Sequence, residues 1–221
     1  MTTVLVLRPE PGATATVRKA RELGLEAIAV PLFNVEPVAW QAPEPATFDG
    51  LLLTSANAVR LGGSALEAYR GLPIYAVGEG TAEAAHAAGF DIAATGDAGV
   101  DRLLGSIEPD LKLLHLCGSD RRDPESAKQE ICRVTVYRAT PIEIPELAEA
   151  AAGIALIHSP RAGRRFAELV TDRASIDIAA ISRAAADAVG AGWRTIATAA
   201  QPTDEALLAL AARLCDKPDP K

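Results

Sequence analysis

The sequence predicts an α/β protein with two parallel-sheet domains, the first of which is discontinuous. Three observations support this fold class. Short apolar runs alternate with Ala-rich segments of helical character along the chain. The pattern that follows residue 49 returns after residue 150. Two extended segments, 34–39 and 134–140, fit neither copy of this pattern.

The first 33 residues have the order strand, loop, helix, strand. VLVL at 4–7 is followed by the loop RPEPGAT and by a helix that ends near Gly24. The apolar segment EAIAVPLF at 26–33 is the second strand. A helix between two short apolar runs predicts a βαβ unit.

The same alternation continues from Asp49. A strand LLL leads through the turn TSANA to a helix that extends to about Tyr69. A glycine turn, GEGTAEA, then opens an Ala-rich helix that ends at Gly89. The remaining predicted elements of this segment are the strands Ile74–Val77, Ile92–Thr95 and Lys112–Leu116 and a helical turn at Asp101–Ile107.

The segment after residue 150 is an internal repeat. An offset of about 104 residues aligns Ser55 with Ser159 and Gly78 with Ser182, and an offset of about 103 aligns Asp101 with Asp204. Alanine-rich α/β units resemble one another even without common descent. The nearly constant offset favours duplication, and it predicts a strand at Thr195–Thr198 and a last helix near Asp204–Leu214.

The two extended segments predict the domain boundaries. Both carry β-branched residues with prolines near their ends, which is typical of extended segments. If they pair as hinge strands (34–39 and 134–140), the first domain is 1–33 and 141–221, and residues 40–133 are an inserted second domain. Ligands bind beyond the carboxyl ends of parallel strands, so we expect a site in a cleft between the domains.

Composition excludes several classes of function. With 22 Lys and Arg against 29 Asp and Glu, the net charge of −7 argues against a nucleic-acid partner. No apolar run approaches the ~20 residues of a membrane span, and the N-terminus has no basic leader. The three cysteines, Cys117, Cys132 and Cys215, have no pair spacing typical of metal sites or disulfides. We therefore expect a cytoplasmic protein, in which an anion would have to be bound by local donors such as arginines and helix N-termini.

Four motifs, in their order and spacing, are similar to those of the uroporphyrinogen-III synthase family. They are Arg8-Pro9 after the first strand, TSANAV near residue 50, GEGTAEA, and Tyr137 within VTVYRAT. Matching segments extend from Leu7 to about Leu214. The chain departs from the family pattern at His158-Ser159-Pro160-Arg161 and at Ser182-Arg183-Ala184-Ala185, where the family often has further hydroxyl side chains.

This resemblance implies two flavodoxin-like domains joined by a two-stranded hinge, a monomer, and no cofactor. It also implies a lyase that closes hydroxymethylbilane, a linear tetrapyrrole rich in carboxylates, into uroporphyrinogen III. In that reaction the last pyrrole ring is inverted and water is lost, as a step of haem and porphyrin biosynthesis.

A polycarboxylate substrate needs many spaced hydrogen-bond donors, and turns between strands and helices provide them. Arg8 and Arg138 could also reach carboxylates, whereas we interpret Arg121 as solvated. Each turn has the alternative role of simple helix capping. The predicted binding residues in these turns are Thr54, Ser55, Asn57, Gly78, Thr81, Gly118, Ser159, Arg161 and Ser182.

Tyr137 is the predicted catalytic residue, because loss of the substrate hydroxyl needs an acid and a neutral phenol can supply the proton. The alternatives are that its ring only packs at the hinge, or that acceleration comes from holding the substrate in one conformation. His86, His115 and His158 lie apart from one another, so no metal is assigned, and a hydrogen-bonded role at a strand end is expected for His158.

Two other functions share features with a synthase. A two-lobed module in the cytosol that binds a small anion without catalysis would share the cleft and the hinge. A transferase that uses nucleotides or phosphate is less consistent, because GEGTAEA lacks the Lys-Ser/Thr of a P-loop and has only the first two glycines of a dinucleotide fingerprint, Gly78 and Gly80.

Overall fold

The computed structural model describes residues 2–97, 99–121, 123–143 and 153–216, in which strands and helices alternate. The strands are β1 (Thr3–Val6), β2 (Ala27–Ala29), β3 (Phe33–Pro37), β4 (Gly50–Leu53), β5 (Ile74–Val77), β6 (Ile92–Gly96), β7 (Lys112–Gly118), β8 (Glu130–Pro141), β9 (Gly153–Ile157), β10 (Ile176–Ala180) and β11 (Thr195–Thr198). The helices are α1 (Gly12–Glu22), α2 (Ala56–Leu61), α3 (Glu79–Ala87), α4 (Val100–Gly105), α5 (Pro160–Leu169), α6 (Arg183–Ala188) and α7 (Asp204–Cys215), with short 3₁₀ helices at Pro45–Thr47 and Ser64–Tyr69.

Contacts within the chain define two compact units. Unit 1 comprises Met1–Asn34 and Pro141–Lys221, and unit 2 comprises Val35–Thr140. Among the described residues, the sheet of unit 1 has the strand order β11-β10-β9-β1-β2. The second sheet has the order β3-β8-β7-β4-β5-β6.

The sheet of unit 1 is parallel in every pair from β11 to β2. Parallel sheets are covered by helices on both faces, so their strands are apolar along their whole length. Accordingly, β9 (GIALI) and β10 (IDIAA) are buried at every position. Val4 and Leu156 pack in one cluster with Val17 of α1 and Leu207 of α7, which places those two helices on one face.

The sheet of unit 2 is also covered on both faces. Leu51 and Leu114 pack with Ala58 of α2 and with Ala82 and Ala85 of α3. Their strand neighbours Leu52 and Leu113 pack on the opposite face with Leu103 and Leu104 of α4. Strands β4 to β8 of this sheet pair in parallel.

Five of the six strands of the second sheet repeat the strand order of the first, and β3 is an additional strand at its edge. Position by position, β11-β10-β9-β1-β2 corresponds to β6-β5-β4-β7-β8. The strands β9 to β11 then correspond to β4 to β6, as the offset in sequence indicates. Ser55 and Ser159, which the offset aligns, are the N-caps of α2 and α5. This correspondence supports duplication of an α/β unit.

Two predicted elements are shorter in the structure. The helix expected to extend to Tyr69 ends at Leu61, and a 3₁₀ helix begins at Ser64. Gly63 between them has φ +70°, a conformation that glycine adopts without strain and that ends a helix. The strand expected at 26–33 is limited to Ala27–Ala29, and Pro31, which lacks a backbone N–H, follows it.

The predicted hinge strands are part of the second sheet rather than a separate connector. β8 begins at Glu130 and pairs with β7 from Lys112↔Glu130 to Gly118↔Tyr137. β3 lies beside β8 at the edge of this sheet, with Val38 N donating to Val136 O at 3.0 Å. The boundaries between the two units lie near residues 35 and 140. Within unit 2, β8 pairs with backbone groups of β7 that would otherwise be unpaired at the edge of the sheet. Residues 144–152 and 217–221, which the sequence assigns to the first domain, lie outside the described residues.

Candidate functional site

An open pocket of about 310 Å³ lies at the carboxyl ends of strands in unit 2. Thr54 follows β4, Gly118 ends β7, and Tyr137 belongs to β8, and all three line the pocket. Asp120 and Arg121, in the loop after β7, add charges of both signs. Ligands of open parallel sheets bind at this edge. The fold thus brings three of the predicted site residues to one pocket.

Tyr137 lies against Gly118 because the pairing between β7 and β8 is irregular. Cys117 pairs with Thr135 but Gly118 pairs with Tyr137, so Val136 is an extra residue of β8 and forms a bulge. A Cβ atom at position 118 would lie 2.6 Å from Cε2 of the tyrosine ring and 2.8 Å from Cζ. Glycine at this position therefore lets the ring pack directly against the end of β7.

The Tyr137 hydroxyl keeps its proton at neutral pH. Burial raises the pKa of Tyr137, and interactions with the Ser55 side chain and the Gly118 backbone oppose part of this rise. A neutral phenol can donate a hydrogen bond, and it can transfer its proton to a leaving group. The group has the protonation state that a general acid requires.

Thr54 is hydrogen-bonded to a histidine beneath the pocket. Its Oγ1 atom lies 3.1 Å from Nε2 of His115, a fully buried residue of β7. Burial, and to a lesser extent the positive charges of Arg133 and Arg121, lower the pKa of His115 to about 4. The imidazole is therefore neutral at pH 7, and its hydrogen bond holds the side chain of Thr54 in position.

Three of the predicted serine ligands are N-caps. The Oγ atoms of Ser55, Ser159 and Ser182 accept hydrogen bonds of 3.2, 3.2 and 3.3 Å from backbone N–H groups of α2, α5 and α6. The donor to Ser55 is the backbone of Asn57. Capping is thus one role of these side chains, and each hydroxyl proton is still able to donate to another group.

Gly78 is the N-cap of α3, has φ +84° and offers no side-chain acceptor to the helix. The N-terminus of α3 consequently carries the partial positive charge of an uncapped helix, next to Val77 in the pocket wall. Thr81, also a predicted ligand, is only 7% exposed. The backbone of the glycine turn is therefore better placed than the threonine side chain to meet a ligand.

In unit 1, Asp204 joins three polar side chains at the carboxyl ends of β1 and β9. Its Oδ1 atom accepts from Nη1 of Arg8 and from Nε2 of His158, both at 3.0 Å. Its Oδ2 atom accepts from the hydroxyl of Thr16 at 2.7 Å. Burial opposes ionisation of Asp204, but the hydrogen bonds from His158 and Thr16 and the charge of Arg8 hold its pKa well below the usual range.

The remaining predicted arginines have partners within their own units. Arg138 pairs with Glu36 across β8 and β3 at 2.7 Å, and its side chain is 57% exposed. The Arg161 guanidinium lies 4.3 Å from the centre of the Phe33 ring, a cation–π contact. Neither residue belongs to the pocket lining of unit 2.

Sequence reasoning missed Arg121, His115 and the link from Asp204 to Arg8. The sequence indicates a solvated Arg121, whereas the residue lines the pocket, and its Nε atom lies 3.4 Å from Oδ1 of Asp123. The position of Arg121 directly after β7 is the sequence signal for a role in the site, because Gly118 in the same turn is a predicted binding residue. The hydrogen-bonded role expected for His158 is confirmed by its contact with Asp204.

Within the described ranges, no group of three His, Cys, Asp or Glu side chains could hold a metal ion. The helices of these ranges are too short or too polar to cross a membrane. Cys117, Cys132 and Cys215 are free thiols.

Residues 14–209 match the sequence profile of a family described as uroporphyrinogen-III synthase HemD. A uroporphyrinogen-III synthase from Chlorobaculum parvum is 39% identical over 61 residues, which is 27% of this chain and 25% of that protein. The chain therefore aligns with about a quarter of the length of this relative.

Two solved structures have a similar fold. A uroporphyrinogen-III synthetase from Helicobacter pylori superposes with a TM-score of 0.68 at 18% identity, covering 97% of this chain and all of that one. A mutant uroporphyrinogen III synthase from Thermus thermophilus gives a TM-score of 0.58 at 20% identity, covering 98% of this chain and all of that one. Both confirm the expected α/β architecture.

Proposed function

The chain belongs to the uroporphyrinogen-III synthase family, and from this we propose that it is a lyase that cyclises hydroxymethylbilane to uroporphyrinogen III. The substrate loses its terminal hydroxyl as water, and the last pyrrole ring is inverted before the macrocycle closes. The observation that carries the proposal is the protonated Tyr137 hydroxyl in a pocket at the carboxyl edge of the second sheet.

Tyr137 is the proposed acid of the first step. Its proton passes to the substrate hydroxyl, the C–O bond breaks with its electron pair on oxygen, and water leaves. The resulting azafulvene cation is attacked by the substituted carbon of the last ring, which gives a spiro intermediate. A carbon–carbon bond of this intermediate breaks and re-forms at the other side of the ring. Loss of a proton from carbon then restores the pyrrole, and the tyrosinate can take that proton back.

Carboxylates of the substrate need donors spread over a large surface. In unit 2 we assign this role to Thr54, to the hydroxyl of Ser55, and to the backbone of the turns at Asn57, Gly78 and Gly118, with Arg121 in addition. In unit 1 we assign it to Arg8, Ser159, Arg161 and Ser182. Arg138 is retained as a weaker candidate, because Glu36 already neutralises its charge.

Hydrogen bonds from neutral donors to carboxylates contribute modestly one by one, so holding the substrate in one conformation is a property of the whole set. We further propose a monomer in the cytoplasm, where the three free thiols would stay reduced. The alternative of an anion-binding module without catalysis finds no support in the comparisons.

The decisive experiment is a cyclisation assay. Purified protein, dialysed against EDTA and without added cofactor, is incubated with freshly prepared hydroxymethylbilane, and the oxidised products are separated by isomer. We expect the type III isomer in excess over the isomer that forms spontaneously. A product mixture identical to that of a protein-free control would contradict the proposal, and activity that returns only on addition of a metal would contradict the cofactor-free mechanism.

Tyr137→Phe tests the acid role, because it removes one donor and keeps the ring against Gly118. We expect the turnover number to fall by ~10² to 10⁴-fold while the melting temperature changes little. Tyr75→Phe, at a buried tyrosine of β5, is the matched control and should retain turnover. Unchanged turnover in Tyr137→Phe would remove the residue from the chemistry and leave conformational control as the source of catalysis.

A further inference from the structure

The contact between His115 and Thr54 connects the interior of the second sheet to the pocket. His115 is fully buried in the middle of β7, where Leu52 of β4 and Arg133 of β8 are its register partners. Its Nε2 atom lies 3.1 Å from Thr54 Oγ1. Thr54 itself lines the pocket. His115 is thus a polar side chain in the otherwise apolar middle of β7, and it contacts Thr54, a candidate donor to a ligand in the pocket.

The other ring nitrogen of His115 determines which atom carries the proton. Nδ1 is buried and has no hydrogen-bond partner among the described residues. A proton on Nδ1 would therefore be a buried donor without an acceptor, which is rarer in folded proteins than an acceptor without a donor. With the proton on Nε2, the N–H group is satisfied by Thr54. The favoured tautomer is therefore the one in which Nε2–H donates to Thr54 Oγ1.

This direction of donation fixes the role of Thr54. A hydroxyl carries one proton and can both accept and donate. When Oγ1 accepts from His115, its own proton is free to be donated to another group, and the pocket is the space that Thr54 faces. Carboxylate oxygens only accept hydrogen bonds, so such a hydroxyl matches an acidic ligand.

We propose that His115 is a positioning residue that makes Thr54 a hydrogen-bond donor to a carboxylate of the substrate. The inference deepens the proposed function and rests on it for the identity of the substrate. His115 does not touch the substrate, since it is fully buried. It acts through the direction of one hydrogen bond, and it stays neutral at pH 7, as its burial beside Arg133 and Arg121 requires.

The tautomer can be measured without any activity assay. Long-range ¹H–¹⁵N correlation spectra of histidine-labelled protein distinguish a ring protonated at Nε2 from one protonated at Nδ1. His86, His115 and His158 are the histidines of the chain, and His115→Gln identifies the resonances of interest. We expect a neutral ring protonated at Nε2 at pH 7. A ring protonated at Nδ1, or on both nitrogens, would overturn the inference.

Kinetics of the whole chain test the coupling between the two residues. Thr54→Val removes the hydroxyl, and His115→Leu removes its donor. We expect roughly a tenfold rise in KM for each with a smaller change in kcat, the scale of a hydrogen bond to a charged group. The double variant should be no worse than Thr54→Val alone, because both changes remove the same interaction. His115→Gln, which keeps a donor near the Nε2 position, should recover most of the loss.

Each result bears on the inference. Additive effects in the double variant, or equal defects in His115→Leu and His115→Gln with unchanged melting temperatures, would show a purely structural role and overturn it. Should His115→Leu fail to fold, the comparison of wild type, His115→Gln and Thr54→Val still decides, because wild-type KM in Thr54→Val would contradict donation to the substrate. A wild-type protein without synthase activity would instead refute the proposed function, and the spectra would still determine the tautomer.

Discussion

Asp204 shows how a single residue can organise the edge of a sheet. It is the first residue of α7, where the partial positive charge of the helix start favours a carboxylate. From there it holds Arg8 after β1, Thr16 in α1 and His158 after β9. Arg8, one of the proposed substrate ligands, is therefore fixed by residues that lie far from it in sequence.

Replacement of Asp204 by asparagine should make stability less dependent on pH. Folding lowers the pKa of Asp204 from its unfolded value of ~3.9. Below about pH 5 the unfolded chain therefore binds more protons than the folded chain does. The stability that the ionised carboxylate contributes is present above that range and is lost as the pH falls through the folded pKa. We expect Asp204→Asn to be less stable than wild type by about 1–3 kcal/mol at pH 7, and the difference should shrink towards pH 3.

Urea unfolding of both proteins at pH 7, 5, 4 and 3 measures this difference. Glu205→Gln is the control, because the Glu205 side chain is 71% exposed and pairs with Lys19 at the surface, where ion pairs contribute little. A constant difference between wild type and Asp204→Asn over the whole pH range would show that the carboxylate charge is not what stabilises this cluster.

Strand ends and helix starts supply most of the candidate site. Serines cap α2, α5 and α6, whereas Gly78 leaves α3 without a side-chain cap. Turns of the same type therefore carry a serine N-cap at three helix starts and no side-chain cap at the start of α3. At the end of β7, the bulge at Val136 and the glycine at 118 together allow Tyr137 to reach the pocket.

Gly118→Ala should therefore impair the proposed synthase activity through Tyr137. The added methyl group would overlap the ring, and overpacking of this kind costs typically 1–3 kcal/mol in stability. We expect a displaced ring and a turnover number reduced by about tenfold or more, because small misplacements of a catalytic group are costly. Turnover and thermal unfolding of the variant are the measurements.

Gly105→Ala is the matched control for this variant, since its Cβ would meet nothing within 4 Å at the end of α4. It should be as active as wild type. If Gly118→Ala kept wild-type turnover, the close contact between position 118 and the tyrosine ring would have no part in catalysis.

At the scale of the molecule, the described residues form two sheets, and strands β6-β5-β4-β7-β8 of the second repeat the order of the five strands of the first. The second sheet is formed by a continuous stretch, from Phe33 of β3 to Pro141 of β8. Its core clusters are formed by residues of that stretch. The first sheet, in contrast, pairs β1 with β9 and so needs both ends of the chain.

A fragment of residues 33–141 should consequently fold alone. We expect cooperative urea unfolding by circular dichroism, with a denaturant m-value of roughly half that of the full chain, since the slope scales with the surface exposed. The fragment should lack synthase activity because it has no Arg8, Ser159 or Ser182. A fragment without a cooperative transition would show that the second sheet depends on unit 1 for its stability.

The sequence by itself determined the fold class, the approximate positions of most strands and the family. These features depend on local periodicity, on glycine and proline, and on the spacing of motifs, all of which are visible along the chain. The placement of Thr54 and Gly118 at strand ends followed from the same patterns, as did that of Tyr137 within a strand.

Only the tertiary structure decided which of these residues meet. Arg8 and Asp204 are 196 positions apart, and Thr54 and His115 are 61 positions apart, so no local pattern indicates either contact. Whether the ring of Tyr137 lies on Gly118 depends on a one-residue bulge between two strands. Burial, which sets the neutral state of His115 and Tyr137, likewise arises from packing of elements distant in sequence. Parallel strands joined by crossovers place their ends side by side in space, and for that reason the chemistry of this protein is decided by long-range pairing.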